Sequence, residues 1–488
     1  MIVGVCVWIG RRQHTVSSPT TTWSRVTKVT DPLTSPSALC AVVLAAVLLV
    51  PMVVIKLRSK GARREWHRRG TVVTDLKMRR WLRVRGPMAR RSEHVSLGGI
   101  RLALAEECKH FKLIGTTGTG KSTAIRELLA GALERGDRAI ISDPDAGYLA
   151  QFHRRYRGDV VLNPFERDSL KWDPFAEVGS SYDIEQLASA LIPFSDDPGT
   201  REWRGYARTF FTAVFKQCRH RRNHSLDDLW RLLTIAPNDE LRPLLTGTPA
   251  QPFLEPDNAR MFGSIRSVLS SAIAALEYIS AQRAAPFSVR AWVNGGHGVL
   301  FIPYRAGQIA ALRTIIAAWM RLAIVEAMSQ PEERDQRLWF IVDELDALGA
   351  IDGLKDALAR LRKFGGRVVL GFQSIAQVAS TYAGDAHTIV ENCGNTLILR
   401  CSGAENGGTS HFASQLIGER EVRRRQITHG RDRDNGMGFK SLRRSTQSSD
   451  HYATEMALMP SQLEQLADLT GYLKLASCAS WRRVQIRR

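Results

Sequence analysis

The stretch from Phe111 to Ser122, FKLIGTTGTGKS, decides the fold of this chain. Its part from Gly115 to Ser122 fits the pattern GxxxxGK[ST], in which glycines allow backbone N–H groups to surround phosphates. A short apolar run precedes the loop, and the helix that follows carries an apolar face and stops at Gly136. That face consists of Ile125, Leu128, Leu129, Ala132 and Leu133. The order of strand, glycine-rich loop and helix therefore predicts a nucleotide site of the P-loop type.

We expect the whole loop to bind a nucleotide, through Gly115, Thr116, Thr117, Gly118, Thr119, Gly120, Lys121, Ser122 and Thr123. Lys121 is expected to reach the β- and γ-phosphates, and Ser122 is expected to coordinate Mg²⁺. The N-terminus of the following helix adds a dipole that favours negative charge at the loop. ATP and Mg²⁺ are therefore the predicted cofactors.

Two further apolar strands end in polar residues that suit phosphate chemistry. Residues 338–342 lead to Asp343 and Glu344, and residues 367–372 lead to Gln373. Asp343 alone could simply cap the next helix. With a P-loop upstream, Asp343 is predicted to hold Mg²⁺ and Glu344 to act as the base for the attacking water. Gln373 could sense the γ-phosphate or orient that water, but a solvated strand end fits the same pattern.

The chain from residue 100 onward has the pattern of an α/β fold, because short apolar runs alternate with helical stretches. Most of the runs are continuously apolar, as in a parallel sheet that is covered on both faces. The candidate strands are 111–114, 138–141, 160–162, 299–302, 338–342, 367–370, 396–399 and 472–475.

Between residues 181 and 295 the strand-like runs vanish and helical segments such as 202–219 and 259–279 follow one another. This block, 181–295, is predicted to be an all-α domain inserted into a nucleotide-binding domain of residues 96–180 and 296–488. The apolar segment 306–328 contains two arginines and is therefore predicted to be a buried helix on the sheet.

The N-terminal part predicts a membrane anchor over residues 1–55. Residues 38–55 carry no charge and are just long enough to span a bilayer, and residues 1–10 could end an incomplete first transmembrane helix. A buried core helix and a cleaved signal peptide are the alternatives, but neither a polar face nor a small-residue cleavage site is evident. Seven lysines and arginines between residues 56 and 69 place everything after residue 55 in the cytoplasm. Residues 56–95 are predicted to be a basic juxtamembrane linker that can hold lipid headgroups.

The composition narrows the choice of partners. The chain has 488 residues and a net charge of +20, which favours nucleic acid or an anionic membrane face. Its seven cysteines are scattered without a CxxC pair, which argues against a zinc site or a disulfide framework. His110 lacks ligand spacing and is predicted to be structural. A loop with Arg420, Arg423, Arg424, Arg425, Arg431 and Arg433 is a candidate for DNA contact, although such runs are usually solvated faces.

Several separate motifs occur in order along the chain. They are HFKLIGTTGTGKS at 110–122, VLNPFE at 161–166 with WDPF at 172–175, RKFGGRVVLGFQS at 362–374, LIGERE at 416–421 and LADLTGYL at 466–473. Together they resemble the TraD/TrwB-like conjugative coupling proteins of type IV secretion systems, from about residue 97 to the end. A set of ordered motifs is far more specific than a P-loop alone.

The resemblance implies a RecA-like motor domain, a membrane-distal all-α domain and an anchor in the bacterial inner membrane, single- or double-pass, with the motor in the cytoplasm. It also implies a homo-hexamer around a channel with ATP at the subunit interfaces, in which Arg362 matches the family's trans-acting arginine finger. The implied partners are single-stranded DNA with its relaxase and relaxosome, the type IV secretion channel and membrane lipid. Some members carry an acidic C-terminal tail, whereas this chain ends in a basic tip at Arg488. The helical domain is therefore expected to read the substrate.

Two other functions compete with a conjugative DNA pump. An FtsK-like duplex DNA translocase belongs to the same motor superfamily, but it usually has more membrane spans and a separate winged DNA-reading domain. A nucleotide-switched, non-motor receptor for the transferred protein–DNA complex would bind nucleotide without needing hydrolysis. The adjacent acids Asp343 and Glu344 favour hydrolysis over this last reading.

Overall fold

The computed structural model describes residues 65–74, 94–195, 197–221, 224–332, 336–404, 407–433 and 442–487. The predicted anchor 1–55, with its helix 38–55 and the apolar segment 1–10, lies outside the described residues. Within the described ranges, no helix is long and apolar enough to cross a membrane. The chain divides into a large unit, His67–Arg423 with Asp450–Arg488, and a small unit, Met1–Trp66 with Arg424–Ser449. The small unit includes residues 424–433 and 442–449 of a β-hairpin, and the large unit contains the central sheet and the helices described below.

The strands are β1 (Glu65–Gly70), β2 (Val72–Thr74), β3 (Ser96–Leu97), β4 (Ile100–Arg101), β5 (Phe111–Ile114), β6 (Arg138–Pro144), β7 (Val160–Val161), β8 (Lys171–Trp172), β9 (Pro286–Phe287), β10 (Val299–Tyr304), β11 (Leu338–Val342), β12 (Gly366–Phe372), β13 (Asn395–Ile398), β14 (Glu419–Arg433), β15 (Leu442–Met456), β16 (Thr470–Lys474) and β17 (Ser480–Gln485). The helices are α1 (Leu104–Glu107), α2 (Lys121–Glu134), α3 (Gly147–Phe152), α4 (Ser181–Leu191), α5 (Pro198–His220), α6 (Leu226–Thr234), α7 (Asn238–Leu245), α8 (Ala259–Ala272), α9 (Ala275–Ser280), α10 (Val289–Gly295), α11 (Ile309–Met328), α12 (Leu354–Arg360), α13 (Ile375–Tyr382), α14 (Ala386–Asn392), α15 (Gly408–Ile417) and α16 (Pro460–Glu464).

One large sheet forms the centre of the large unit, in the order β2-β17-β16-β13-β5-β12-β11-β6-β10-β7. The strands from β13 to β7 run parallel. Their residues are buried almost throughout, because helices cover both faces of the sheet. The P-loop strand β5 lies in the middle, between β12 and β13, so its carboxyl end opens beside those of the neighbouring strands.

The predicted strands are present, with ends that shift by a few residues, but the sheet is not purely parallel. The run predicted at 472–475 forms β16, which pairs antiparallel with β13. The direction follows from where the chain enters this strand. Leu469, just before β16, donates its backbone N–H to Thr119 of the P-loop at 2.9 Å, so the chain starts from the carboxyl edge of the sheet.

The block 181–295 is mostly helical, as predicted, with two corrections. The helix expected over 259–279 is two helices, α8 and α9, separated by a turn after Ala272. The turn brings Leu276 and Ile279 into the core, where both are fully buried. The short strand β9 also lies in this block and pairs parallel with β8. The segment that leads into the helical block is therefore hydrogen-bonded to the segment near its end.

Two segments predicted to lack regular structure are strands instead. Residues 65–74, inside the predicted linker 56–95, form β1 and β2, and β2 extends the large sheet beside β17. The basic run 420–433 is not a loop but part of β14, which pairs with β15 and β1. Ion pairs between β14 and β15 stabilise a strand in this arginine-rich segment. Arg420 contacts Glu455 at 2.8 Å, and Arg423 pairs with Asp450.

The buried helix predicted over 306–328 is α11. Its residues Leu312, Ile316 and Trp319 lie in a core between the sheet and the helical block. Helix α2, which follows the P-loop, contributes Ile125, Leu128 and other residues to a second core on the opposite face. The P-loop is thus held between two packed layers.

Candidate nucleotide site

The P-loop keeps the backbone conformation that its glycines permit. Gly120, the residue before α2, has a φ of 111°, a left-handed value that side-chain-bearing residues rarely adopt. A Cβ at this position would also lie 2.7 Å from Cδ2 of Leu469. Thr119 steadies the loop from inside, because its Oγ1 donates to the carbonyl oxygen of Thr116 at 2.7 Å.

Lys121 lies folded against this loop. Its Nζ donates to the carbonyl oxygens of Gly115 at 2.6 Å and Thr116 at 3.3 Å. Burial lowers the pKa of the Lys121 ammonium group, and the charges of Asp343 and Glu344 raise it in part. The arrangement keeps a cation beside the backbone N–H groups where phosphates bind in such loops.

Ser122 and Asp343 are brought together as predicted, and Tyr148 joins them. The Oγ of Ser122 donates to Oδ2 of Asp343 at 2.6 Å, and the phenol of Tyr148 donates to the same oxygen at 2.8 Å. The other oxygen, Oδ1 of Asp343, is buried and has no hydrogen-bond partner among the described residues. A hydroxyl beside a carboxylate with an unpartnered buried oxygen is a donor set that suits Mg²⁺, which takes one or two protein ligands and oxygens of the phosphates.

Glu344, Gln373 and Thr117 form a chain of hydrogen bonds across the mouth of the site. Nε2 of Gln373 donates to Oε1 of Glu344 at 3.3 Å, and Oγ1 of Thr117 donates to Oε1 of Gln373 at 2.8 Å. Burial raises the pKa of the Glu344 carboxyl, and the neighbouring charges of Asp343 and Asp346 raise it further. A carboxylate with a raised pKa is better suited to accept a proton near neutral pH.

These residues line one cleft of about 230 Å³ at the carboxyl edge of the sheet. Its lining residues are Thr116, Thr117, Gly118, Gly120, Lys121, Ser122, Thr123, Asp343, Glu344, Gln373 and Leu469. Leu469 was not among the predicted site residues, although the motif at 466–473 contains it. Its φ of 61° is left-handed, and this places its side chain against Gly120.

Tyr148 and Asp143 are further residues that the sequence analysis missed. Asp143 is the second-last residue of the buried strand β6 and accepts hydrogen bonds from the backbone N–H groups of Tyr148 at 3.0 Å and Leu149 at 2.7 Å. Burial raises the pKa of the Asp143 carboxyl to about 6, although those two hydrogen bonds lower it. The bonds fix the start of α3 and so orient the Tyr148 phenol toward Asp343. The sequence contains a signal for this pair, because the run DPDAGY at 143–148 begins at the carboxyl end of β6, the strand next to β11.

Arg362 does not join the cleft of its own chain. It is exposed and lies just before β12, whereas Gln373 lies just after that strand. The strand has seven residues, so the two positions are separated by about 20 Å along it. Arg362 therefore lies away from the nucleotide cleft of its own chain.

His110 occupies a structural position, as predicted. It is buried, and its Nδ1 accepts a hydrogen bond from the backbone N–H of Val368 at 3.2 Å. Burial lowers the pKa of the imidazole to about 4. The residue thus ties the start of β5 to β12 in its neutral form.

Comparison with known proteins gives consistent matches. Residues 94–487 match a family model described as the type IV secretion-system coupling protein DNA-binding domain. A curated relative, the coupling protein TraD of Escherichia coli (strain K12), is 31% identical over 395 residues, which are 78% of this chain and 53% of TraD. The chain thus spans about half the length of that relative.

Solved structures match over most of the chain. The unbound bacterial conjugative coupling protein TrwBdeltaN70 has a TM-score of 0.73 and 30% identity, covering 86% of this chain and 95% of its own. The plasmid coupling protein TrwB in complex with ADP and Mg²⁺ has a TM-score of 0.73 and 29% identity, covering 86% and 94%. These matches and the mixed sheet give the chain a RecA-like NTPase fold with a helical domain.

Proposed function

The chain belongs to the family of type IV secretion-system coupling proteins, and from this premise we propose that it is an ATPase that pumps single-stranded DNA during conjugation. In this proposal it is anchored in the bacterial inner membrane, works as a hexamer and couples the relaxosome to the secretion channel. One observation carries the catalytic part of the proposal. Ser122 and Tyr148 share one oxygen of Asp343 while the other is unpartnered among the described residues, and Glu344 follows directly on the same strand.

ATP and Mg²⁺ are the proposed cofactors. TrwB has been solved in complex with ADP and Mg²⁺ and with a non-hydrolysable ATP analogue, and this chain is about 30% identical to it. The loop 115–123 would bind the phosphates, and Ser122 with Asp343 would hold the metal ion. When bound, the metal ion would neutralise charge on the phosphates and so favour transfer to water.

The side chains of the cleft have distinct proposed roles in hydrolysis. Lys121 would leave the carbonyl oxygens of the loop and contact the β- and γ-phosphates. Glu344 would accept a proton from the attacking water, and Gln373 would orient that water while holding Glu344 in place. Thr117 would fix the amide of Gln373. Arg362 of a neighbouring subunit would stabilise the charge of the transition state.

In this proposal, different parts of the chain carry out ATP hydrolysis, substrate recognition and membrane attachment. Residues 96–180 and 296–488 would form the motor domain, and residues 181–295 the helical domain that reads the substrate. The segment 38–55 would anchor the chain, with the basic residues after it on anionic lipid. The net charge of +20 suits a protein that works on a polyanion beside such a membrane.

The test is ATP hydrolysis by the full-length chain in mild detergent, with and without single-stranded DNA. We expect strong stimulation by single strands and its loss in Glu344→Gln, which should still bind nucleotide. Equal or greater stimulation by duplex DNA would favour an FtsK-like translocase. A folded, assembled, nucleotide-binding protein without any hydrolysis would point instead to the nucleotide-switched receptor.

A further inference from the structure

A basic groove lies where the helical block meets the nucleotide-binding part. It has a volume of about 240 Å³ and is formed by the end of α4 and the chain after it, by α5, by α11 and by the loop that follows β11. Its lining includes Phe194, Arg204, Arg313, Arg321, Gly349 and Asp352. The groove shares no residue with the nucleotide cleft.

An aromatic ring is held at the rim of this groove with one face exposed. Phe194 is 59% exposed, unusually high for a phenylalanine. The guanidinium carbon of Arg208 lies over the ring, 3.7 Å from its centroid. Arg204 fixes the backbone at the same place, because its Nη1 donates to the carbonyl oxygens of Pro193 at 3.0 Å and Phe194 at 3.1 Å. Two arginines therefore present the ring toward solvent in a set position.

The charges around the ring are strongly one-sided. Arg204, Arg208, Arg313 and Arg321 lie in or beside the groove, and Asp352 is the carboxylate that lines it. Asp352 already pairs with Arg321 at 2.5 Å. Within the described part of the chain, no carboxylate forms an ion pair with Arg204, Arg208 or the exposed Arg313. The groove therefore has an excess of positive charge that suits a phosphate backbone.

The floor of the groove connects to the catalytic strands on both sides. Residues 348–352 begin four positions after Glu344 in the loop that follows β11. The same loop is held by Tyr382 at the end of α13, whose phenol oxygen accepts from the N–H of Ile351 at 3.2 Å and lies 3.4 Å from the carbonyl oxygen of Gly349. Helix α13 begins two residues after Gln373. A ligand in the groove thus contacts a loop joined to both Glu344 and Gln373.

From this arrangement we infer that the groove is a binding site for single-stranded DNA, in which a base stacks on the open face of Phe194 and phosphates contact Arg204 and Arg313. An exposed aromatic ring beside arginines is the combination by which proteins bind single strands without sequence preference. In duplex DNA the bases are already stacked, so the ring selects single strands. The inference rests on the proposed function and adds residues that would contact the DNA.

The test measures binding of fluorescein-labelled oligo(dT) to the full-length chain over a series of salt concentrations. Phe194→Ala should weaken binding about tenfold, as expected from the loss of one stacked base, whereas Phe194→Tyr keeps a ring and should bind like the wild type. Arg313→Gln should reduce the slope of log affinity against log salt by about 0.7, the value for one lost phosphate contact. The DNA concentration for half-maximal ATPase stimulation should rise in parallel with the loss of affinity.

Matched controls come from exposed residues outside the groove. Tyr156→Ala removes a ring that is 90% exposed, and Arg260→Gln removes an exposed arginine of α8; both should leave affinity and salt slope unchanged. If single strands stimulate the wild type but Phe194→Ala and Arg313→Gln bind oligo(dT) normally, the groove assignment is wrong while the proposed function stands. Normal oligo(dT) binding with weakened binding of poly-glutamate would assign the groove to an acidic peptide and overturn the DNA assignment.

Discussion

Thr117 of the P-loop is joined directly to Gln373 at the end of β12, with 2.8 Å between Oγ1 of the threonine and Oε1 of the glutamine. The other end of the Gln373 amide donates to Glu344. An amide can accept from one neighbour and donate to the other, which neither an ionised carboxylate nor an apolar side chain can do. The phosphate-binding loop and the proposed base are therefore linked through one side chain.

Removal of that side chain should separate nucleotide binding from hydrolysis. Gln373→Ala leaves the P-loop intact but frees Glu344 from its orienting hydrogen bond, so we expect kcat to fall about a hundredfold. Binding of a fluorescent ADP analogue should change little. Gln377→Ala, an exposed glutamine one turn into α13, is the matched control. Wild-type turnover in Gln373→Ala would show that the residue is only a solvated strand end.

The sequence predicts this part of the site well because strand ends bring distant residues together. Phe111–Ile114, Leu338–Val342 and Gly366–Phe372 are continuous apolar runs, and in a parallel sheet the residues after them must meet at one edge. The sequence alone thus predicts that Asp343, Glu344 and Gln373 lie beside the P-loop.

Other features depend on contacts that no local pattern encodes. Leu469 contacts the P-loop because its backbone is left-handed and because β16, the strand after it, runs antiparallel to β13. Neither feature can be predicted from a leucine in the sequence. Tyr148 depends on a carboxylate, Asp143, that turns α3 toward a neighbouring strand. The arginines of β14 have the sequence pattern of a loop, because the acidic partners of Arg420 and Arg423 lie about thirty residues away on β15. Ion pairs between β14 and β15, and not the intrinsic strand propensity of arginine, therefore determine that this segment is a strand.

Tyr148 should affect the affinity of the site for Mg²⁺ without contacting the nucleotide itself. Tyr148→Phe removes the 2.8 Å hydrogen bond to Oδ2 of Asp343 and leaves that carboxylate less well oriented. Loss of such a supporting hydrogen bond weakens metal binding about 10- to 100-fold in comparable sites. The Mg²⁺ concentration for half-maximal ATPase activity should rise accordingly. Tyr156→Phe, at a surface position, should leave the Mg²⁺ titration unchanged, and an equal titration for Tyr148→Phe would rule out a role at the metal.

The pH dependence of hydrolysis should report on Glu344. Burial and the charges of Asp343 and Asp346 raise the pKa of this carboxyl, and its protonated form cannot accept a proton from water. Activity should therefore be lost as the pH falls through the raised pKa. Asp346→Asn removes one of the negative neighbours and should move the acidic limb of kcat/KM to lower pH. Asp356→Asn, an exposed acid on α12, serves as the control, and an unmoved limb in Asp346→Asn would exclude Glu344 as the titrating group.

His110 should make stability depend on pH in a different way. Its pKa falls from 6.5 to about 4 on folding, so the stability it contributes is present above pH 6.5 and is lost as the pH falls toward 4. The loss amounts to about 3 kcal/mol. His110→Asn retains an acceptor for the N–H of Val368 and tolerates the φ of 56°, but it does not titrate. Thermal midpoints at pH 7.5 and pH 5 should therefore differ less in this variant than in the wild type, and an equal difference would contradict the assignment.

Arg362 provides a test of whether the active site is shared between subunits. Its position about 20 Å along β12 from Gln373 keeps it out of its own cleft, so any catalytic role must be played in a neighbour. Arg362→Ala should abolish turnover and leave nucleotide binding intact, whereas Arg360→Ala, also exposed in the same segment, should turn over normally.

Mixing two inactive variants tests directly whether Arg362 acts in the cleft of a neighbouring subunit. Arg362→Ala retains an intact cleft with Glu344, and Glu344→Gln retains the arginine, so each variant alone should be inactive. In mixed assemblies, a cleft from the first variant can receive Arg362 from an adjacent copy of the second, and hydrolysis should return in proportion to such pairs. Recovery requires that the arginine acts across an interface, because neither chain contains a complete site. If mixed assemblies form but stay inactive, the assignment of Arg362 to the catalytic site of a neighbouring subunit is wrong.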